Sequence, residues 1–407
     1  MRKHVRAAIA FAAIGLIALT GCTPAQPASQ AKIEPDLALS IGALLPQTGA
    51  FAPFGPGAYA GVALALQDIN DAGLGISVTS ESRDSGDATS DLAVTSTTEL
   101  IDSGVSVIVG ALSDGVSKKV IDQIVSAGVL QISPGNTSPD FSRYTDDDLY
   151  WRTAPACTLE GTAMGEQIAR DKVQKIAVIY ERGYCEPGLP DAIGTAFTRA
   201  GKGEVVADVP FDAGATNLDA QVAEAVAAGP DAVVVVTDSE AAVAVPPLVA
   251  AGLTGPALYF VGLPIADHST DLPAGSITDS IASQPGLDIA TLTDFTDRVA
   301  ELTPEVTDFS YAAEAYDAVI LVALAALAAD DVSSEAIAGK LQEVSGGSGK
   351  GTKATDFASA AELILAGKVV DYDGPSGEIA FDENGDPLGA VIGLYRYGAD
   401  NVFTRLD

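Results

Sequence analysis

Histidine is almost missing from this chain: His4 and His268 are the only two in 407 residues. A Ser-His-Asp centre would have to be built on His268, and no G-x-S-x-G elbow stands before a helix to supply its nucleophile. Cysteine is scarce as well. Cys22, Cys157 and Cys185 form no C-x-x-C pair and have no histidine nearby in sequence, which speaks against a zinc or thiol-redox site. Positive charge is the third deficit, with 22 Lys and Arg against 55 Asp and Glu and a net charge of −33. Phosphate binding needs clustered cations, so nucleic acid is excluded as a partner, and the acidity reads as a solvated, soluble surface. The glycine-rich run Gly346 to Thr352 has the composition of a phosphate loop but not its spacing. Val344 stands six residues before Lys350 where a glycine is required, and Gly351 follows the lysine in place of Ser or Thr, so the run is read as a flexible loop. An enzyme is therefore not expected, nor is any cofactor or metal.

Long hydrophobic runs are also few. After the basic start Met1 to Arg6, residues Ala7 to Thr20 make 14 uncharged, mostly apolar positions, short of the ~20 that span a bilayer. Leu19-Thr20-Gly21-Cys22 follows at once. This pattern predicts a secretory signal over 1–21 ending in a lipobox, with Cys22 as the lipidation site. The chain is then expected outside the cytoplasm, anchored by lipid to the outer face of the cytoplasmic membrane or periplasmic. Residues 22–36 are small, polar and interrupted by Pro24 and Pro27, the composition of a disordered tether. Val319 to Ala329 is too short to span and is expected to continue an amphipathic helix. About 370 residues remain, more than one core of ~250–300 residues supports, which predicts two lobes.

What is present is a regular alternation of short β-rich runs with helical stretches. Leu39 to Leu45, Ile76 to Thr79, Val105 to Val109 and Val129 to Ile132 read as strands. Helices stand between them, the first with Tyr59, Val62, Ala63 and Leu66 on one face. The alternation restarts after Tyr150-Trp151-Arg152-Thr153 with strands at Lys175 to Tyr180, Glu204 to Val209, Ala232 to Val236 and Ala257 to Val261. The expected class is α/β, with two doubly wound parallel sheets. Such sheets bind ligands in the loops beyond the carboxyl ends of their strands. Near the end, Glu378 to Phe381 and Ala390 to Tyr395 flank Asp382-Glu383-Asn384-Gly385-Asp386-Pro387 and predict a hairpin, with Asn384-Gly385 at the turn. Asp382 and Asp386 fall short of the ordered oxygen set of a calcium loop.

Four separated stretches carry a family resemblance: Ile41 to Gly49 with Asp68-Ile69-Asn70, Val129 to Thr137, Tyr311 to Val319, and Asp373 to Asp382. In these the chain resembles the branched-chain amino-acid-type solute-binding proteins of ABC importers, which have the type I periplasmic-binding fold. The resemblance implies a first lobe from 37–155 and 284–377, a second from 156–283 and 378–407, and a hinge of three crossovers. It implies capture of a small amino-acid-like solute by hinge closure and delivery to an ABC permease. An extracytoplasmic sensing protein is the other role the fold serves.

The resemblance also implies a site. Phe54 falls where the family places an aromatic over the ligand, and Gly135, Asn136 and Thr137 fall in its carboxylate-gripping loop, where N–H groups and the helix opening near Val116 would hold an anion. The family's serine after the third strand is replaced by Asp114, beside Ser113 and near Ser117. A carboxylate there repels a ligand carboxylate unless it faces away, so an amide or cationic solute is the alternative ligand. The family's amine-binding acid aligns with Pro264, leaving Asp238, Asp267 or Asp114 to replace it. Cys157 and Cys185 fall at family positions facing the ligand and are expected to pair in the oxidising exterior, which makes Tyr184 the second-lobe aromatic. Asn136-Thr137-Ser138 also matches a glycosylation sequon, a pattern frequent by chance.

Overall fold

The structure, a computed structural model, describes residues 33–183, 185, 188–212, 214–237, 241–262, 268–270, 272–287 and 291–406. The expected signal, Cys22, most of the tether, Tyr184, Asp238, Pro264 and Asp267 lie outside the described residues.

The first sheet is wholly parallel and is built from β1 (Ile33–Leu45), β2 (Leu74–Asp84), β3 (Val107–Gly110), β4 (Leu130–Ser133) and β5 (Tyr150–Arg152), in the order β2-β1-β3-β4-β5. β3 and β4 are buried at every position, which is why they read as continuous apolar runs rather than alternating ones. One face of the sheet packs on the helices Gly55–Ala72 and Ala312–Ala329, the other on Leu92–Asp102 and Asp114–Ser126. Helices therefore cover both faces, as the alternation predicts.

The second sheet repeats this plan with β6 (Lys175–Glu181), β7 (Glu204–Phe211), β8 (Ala232–Val236), β9 (Leu258–Val261) and β10 (Ile281–Pro285), all parallel. A small third sheet, β11 (Thr352–Ala354), β12 (Val370–Gly374) and β13 (Gly377–Glu378), follows in the chain. β14 (Ile392–Tyr397) and β15 (Phe403–Arg405) then return to the second sheet and add antiparallel to β10, giving the order β15-β14-β10-β9-β8-β6-β7.

Three sequence expectations are corrected here. Helix Ala312–Ala329 is not amphipathic: it is apolar on nearly every side, and all but one of the residues from Ala312 to Ala326 are buried. It runs through the middle of the first core against Gly55–Ala72 and the helices Ser334–Val344 and Phe357–Leu365. A helix that is hydrophobic all round has no solvent face to spare. The strand pair expected around Asn384-Gly385 is no ladder either. Only one bridge, Phe381 to Pro387, closes the turn, and Gly385 alone has positive φ, at +77°. A side chain there would press on the Tyr150 carbonyl, 2.6 Å from a Cβ. Finally, Ile379 and Phe381 pack in the first core and the turn is tied to β5. The chain thus crosses back to the second sheet in the stretch before Ile392, not at 377.

Candidate functional site

The loops after β3 and β4 are bound into one unit by their own polar groups. Ser133 Oγ donates to the Ala111 carbonyl (2.7 Å) and accepts the N–H groups of Gly135 (3.2 Å) and Asn136 (3.0 Å). The next two N–H groups, of Thr137 and Ser138, donate to the two carboxylate oxygens of Asp114 at 3.0 and 3.1 Å. The four consecutive N–H groups expected to grip a ligand anion are thus all occupied by side chains of this chain. Asp114 takes half of the backbone donors of that loop.

Asp114 opens the helix Asp114–Ser126, with Ser113 as its N-cap residue. It is half-buried, and burial pushes its carboxyl group up, against the opposing pull of the Ser138 and Thr137 N–H groups and of the Arg152 and Lys118 charges. Ser113 and Thr137 are likewise half-buried, and neither hydroxyl has a hydrogen-bond partner among the described residues. Asn136 is placed differently from the expectation. It is fully buried, its amide N–H donates to the Leu112 carbonyl (3.1 Å) and its Oδ1 accepts from the Tyr150 hydroxyl (2.8 Å). Both ends of the side chain are thus spent on the scaffold, which leaves neither a ligand contact nor an accessible sequon nitrogen. Ser117 is also fully buried.

Behind the loop stands Arg152, which sequence reasoning did not single out. It is completely buried and pairs through Nε with Asp386 at 2.6 Å. Its other nitrogens donate to the carbonyls of Asn136 (3.3 Å) and Ser138 (2.8 Å) and to Ser142 Oγ (3.0 Å). One guanidinium therefore fastens the loop after β4 to the Asp382–Asp386 turn more than two hundred residues later. A basic residue at the end of an otherwise apolar strand was the available signal, and its partner could not be read from sequence distance.

Phe54 closes a short 3-10 helix in the loop after β1 and sits in an aromatic group of its own, edge-on to Phe51 (5.8 Å between centroids) and to Tyr311 (5.6 Å). Tyr311 caps the helix Ala312–Ala329 in the left-handed region, φ +62°.

The remaining family-like motifs turn out to be scaffold. Asp68 accepts from the Tyr316 hydroxyl at 2.5 Å and from Arg298. The Asn70 side chain pairs with both backbone groups of Val78. Asp317 accepts from the Ser376 N–H (2.8 Å), Ser376 Oγ (2.5 Å) and the Tyr372 hydroxyl (2.7 Å), so the third stretch holds the fourth. Any side chain at Gly374 would collide with Asp317 and the Tyr372 hydroxyl. Asp317 is fully buried, and burial pushes its carboxyl up to about 7 despite these donors, with Glu314 one turn earlier adding repulsion. Burial raises Glu314 too. Thr153, just after β5, donates its hydroxyl to the Glu314 carbonyl at 2.9 Å. The stretch after β5 and the turn after β12 are therefore fastened to the first two turns of one helix.

On the second sheet, Glu160 accepts from Ser283 Oγ (2.8 Å) and the Gly262 N–H (3.3 Å), and Glu181 accepts from the Thr237 hydroxyl (2.8 Å). These two buried acids organise the carboxyl ends of β8, β9 and β10. Cys157 and Cys185 are joined in a disulfide with Cα atoms 6.5 Å apart. The Cys157 N–H donates to the Thr137 carbonyl (3.0 Å), so the bridge is attached to the Asp114 loop.

Comparison with known proteins matches this arrangement. The periplasmic binding protein family profile matches residues 38–388. A Leu/Ile/Val-binding protein homolog of Brucella suis is 27% identical over 416 residues, covering 100% of both chains. The chemotactic signal transduction system substrate-binding protein BasB of Halobacterium salinarum is 27% identical over 283 residues, 67% of this chain and 65% of that one. The branched-chain amino acid transporter substrate-binding protein of Streptococcus pneumoniae, solved with isoleucine, shares the fold with a TM-score of 0.64 at 21% identity, covering 91% of this chain and 100% of that one. With the profile covering the first sheet, the parallel part of the second and all four motifs, the chain belongs to the periplasmic binding protein family.

Proposed function

We propose that this chain is the extracytoplasmic solute-binding component of an ABC importer, capturing a small amino-acid-like solute by closure of its two lobes and delivering it to a permease. The observation that supports this most is the coincidence of the family match with the geometry at the strand ends. The loops after β3 and β4 meet at Asp114, where parallel sheets of this kind take their ligands, and the stretch after β5, the first of the crossovers that would act as the hinge, is fastened to a buried helix. In this reading Phe54, Ser113, Asp114, Gly135 and Thr137 form the first-lobe side, and Tyr184 and Asp238 contribute from the second. The chain acts by binding, not by catalysis. Cys22 carries a lipid after removal of 1–21 and holds the protein at the outer face of the cytoplasmic membrane. Changing Cys22 to Ala is then expected to release the protein from the membrane fraction, and retention there would refute the anchor.

The test of binding is a thermal-shift screen over amino acids, amides, polyamines and small organic acids. A solute at a hundredfold excess over Kd is expected to stabilise the folded chain by about 2.7 kcal/mol. A flat response to every class, together with turnover of any compound, would overturn the reading. A sensing role is the second reading, favoured by the likeness to the chemotactic protein of Halobacterium salinarum. Co-purification with a transducer rather than a permease would select it.

A further inference from the structure

We propose that Asp114 is the residue that sets solute class in this chain, by accepting a hydrogen-bond donor nitrogen of the ligand, an ammonium or an amide, while removing the loop's N–H groups from carboxylate recognition. The inference rests on the solute-binding reading above and deepens it.

Its basis is an account of donors and acceptors at one place. An anion-binding loop works by offering unpaired N–H groups. Here the N–H groups of Gly135 and Asn136 go to Ser133 Oγ, and those of Thr137 and Ser138 go to Asp114. The nearest buried cation offers nothing either, because Arg152 is spent on Asp386, on two carbonyls of the same loop and on Ser142. What stays open is acceptor capacity. Each Asp114 oxygen takes one N–H and keeps lone-pair sites for more, since an ionised carboxylate has about four. The side chain is half-buried rather than sealed, and so are Ser113 and Thr137 next to it, whose hydroxyls have no partner among the described residues. A ligand carboxylate brought here would meet a carboxylate already holding the backbone donors, with like charges in contact and only the Ser113 and Thr137 hydroxyls left to offset the repulsion. A ligand nitrogen would meet one acceptor with a full charge and two hydroxyls that rotate to suit it. Burial has pushed the Asp114 carboxyl upward, so an arriving ammonium relieves a desolvated charge and an amide N–H gives it a further hydrogen bond, which an anionic group does not.

The experiment is calorimetric titration of the full chain with four probes that separate the two groups. Isoleucine carries ammonium and carboxylate, isoleucinamide keeps the ammonium and loses the carboxylate, and isovalerate and benzoate carry only a carboxylate. The expected result is binding of isoleucinamide at least as tight as that of isoleucine, with no detectable binding of the two acids. Asp114→Asn keeps the side-chain shape and one acceptor oxygen, and is expected to weaken isoleucinamide at least tenfold. Asp114→Ser frees the Thr137 and Ser138 N–H groups and is expected to admit isovalerate. Wild-type binding of isovalerate or benzoate as tight as that of isoleucinamide overturns the proposal without needing a variant. So does Asp114→Asn with unchanged affinity, which would make the residue a loop fastener only. Silence toward all four probes overturns this proposal for these chemistries. The solute-binding reading itself fails only if the wider screen is silent too.

Discussion

Asp114 and Asp317 are held in the same way and placed differently. Each accepts backbone N–H groups from a loop that follows a strand, two for Asp114 and one, with two hydroxyls, for Asp317. Asp317 is sealed at the first turns of the central helix and has no opening through which a solute could reach it. Asp114 is half open, beside the hydroxyls of Ser113 and Thr137, which have no partner among the described residues. The comparison teaches that the donor set of a carboxylate does not tell a structural acid from a binding one. The deciding variable is whether lone pairs remain on a side that solvent, and hence a ligand, can enter.

Four measurements would break or sharpen that contrast. The largest effect is expected from Arg152→Ala, which strips the cation from behind the Asp114 loop and leaves Asp386 buried without its partner. Urea denaturation should register a loss of about 3–5 kcal/mol, and a loss under about 1 would show that the pair does not hold the loop. Next is the pair of truncations Asp317→Ala and Asp114→Ala. Removing the fully buried Asp317 leaves the Ser376 N–H and hydroxyl and the buried Tyr372 hydroxyl unsatisfied and should cost about 3 kcal/mol. Asp114 is itself half-buried, so water can enter the space it vacates and its removal should cost only about 1. Equal costs would erase the distinction drawn between the two acids.

The third concerns pH. The Asp317 carboxyl titrates in the folded chain at about 7, above its unfolded value near 3.9. The folded state therefore holds this proton more tightly, so the stability it contributes is fully present below about 4 and is lost as pH rises through about 7. Asp317→Asn can turn its oxygen to Ser376 and its amide N–H to the Tyr372 hydroxyl, and should flatten that decline by about 4 kcal/mol between pH 4 and 8. An unchanged slope in chemical denaturation would place the titration elsewhere. The smallest effect is expected from Tyr372→Phe, which removes one of three donors to Asp317 and should cost about 1 kcal/mol in the same assay.

Much of the fold was legible because parallel sheets write themselves as apolar runs separated by helix periods. Leu130 to Ser133 and Ala232 to Val236 are buried at every position, and both were recognisable as strands. The motifs were legible too, but as identity rather than as chemistry. Asp68, Asn70, Asp317 and Gly374 mark the family because they fasten helices and crossovers. Within the candidate site, Phe54, Ser113, Asp114, Gly135 and Thr137 were nameable in advance, whereas the parts played by Arg152 and by Tyr311, which stood only as the first residue of a family stretch, were not. Their roles depend on Asp386 and Phe54, hundreds of residues away in the chain.

By itself the amino-acid sequence determined the class of the molecule: two α/β repeats too long for one core, acidic, poor in histidine and free of phosphate-loop spacing. Those properties follow from local periodicity and from counting, which need no coordinates. Only the tertiary structure decided which way Asp114 faces. A carboxylate at a helix start can point to solvent, to a ligand or into a neighbouring loop with equal local ease. The choice was made by the Thr137 and Ser138 N–H groups, brought within 3.0 and 3.1 Å by the pairing of β3 with β4.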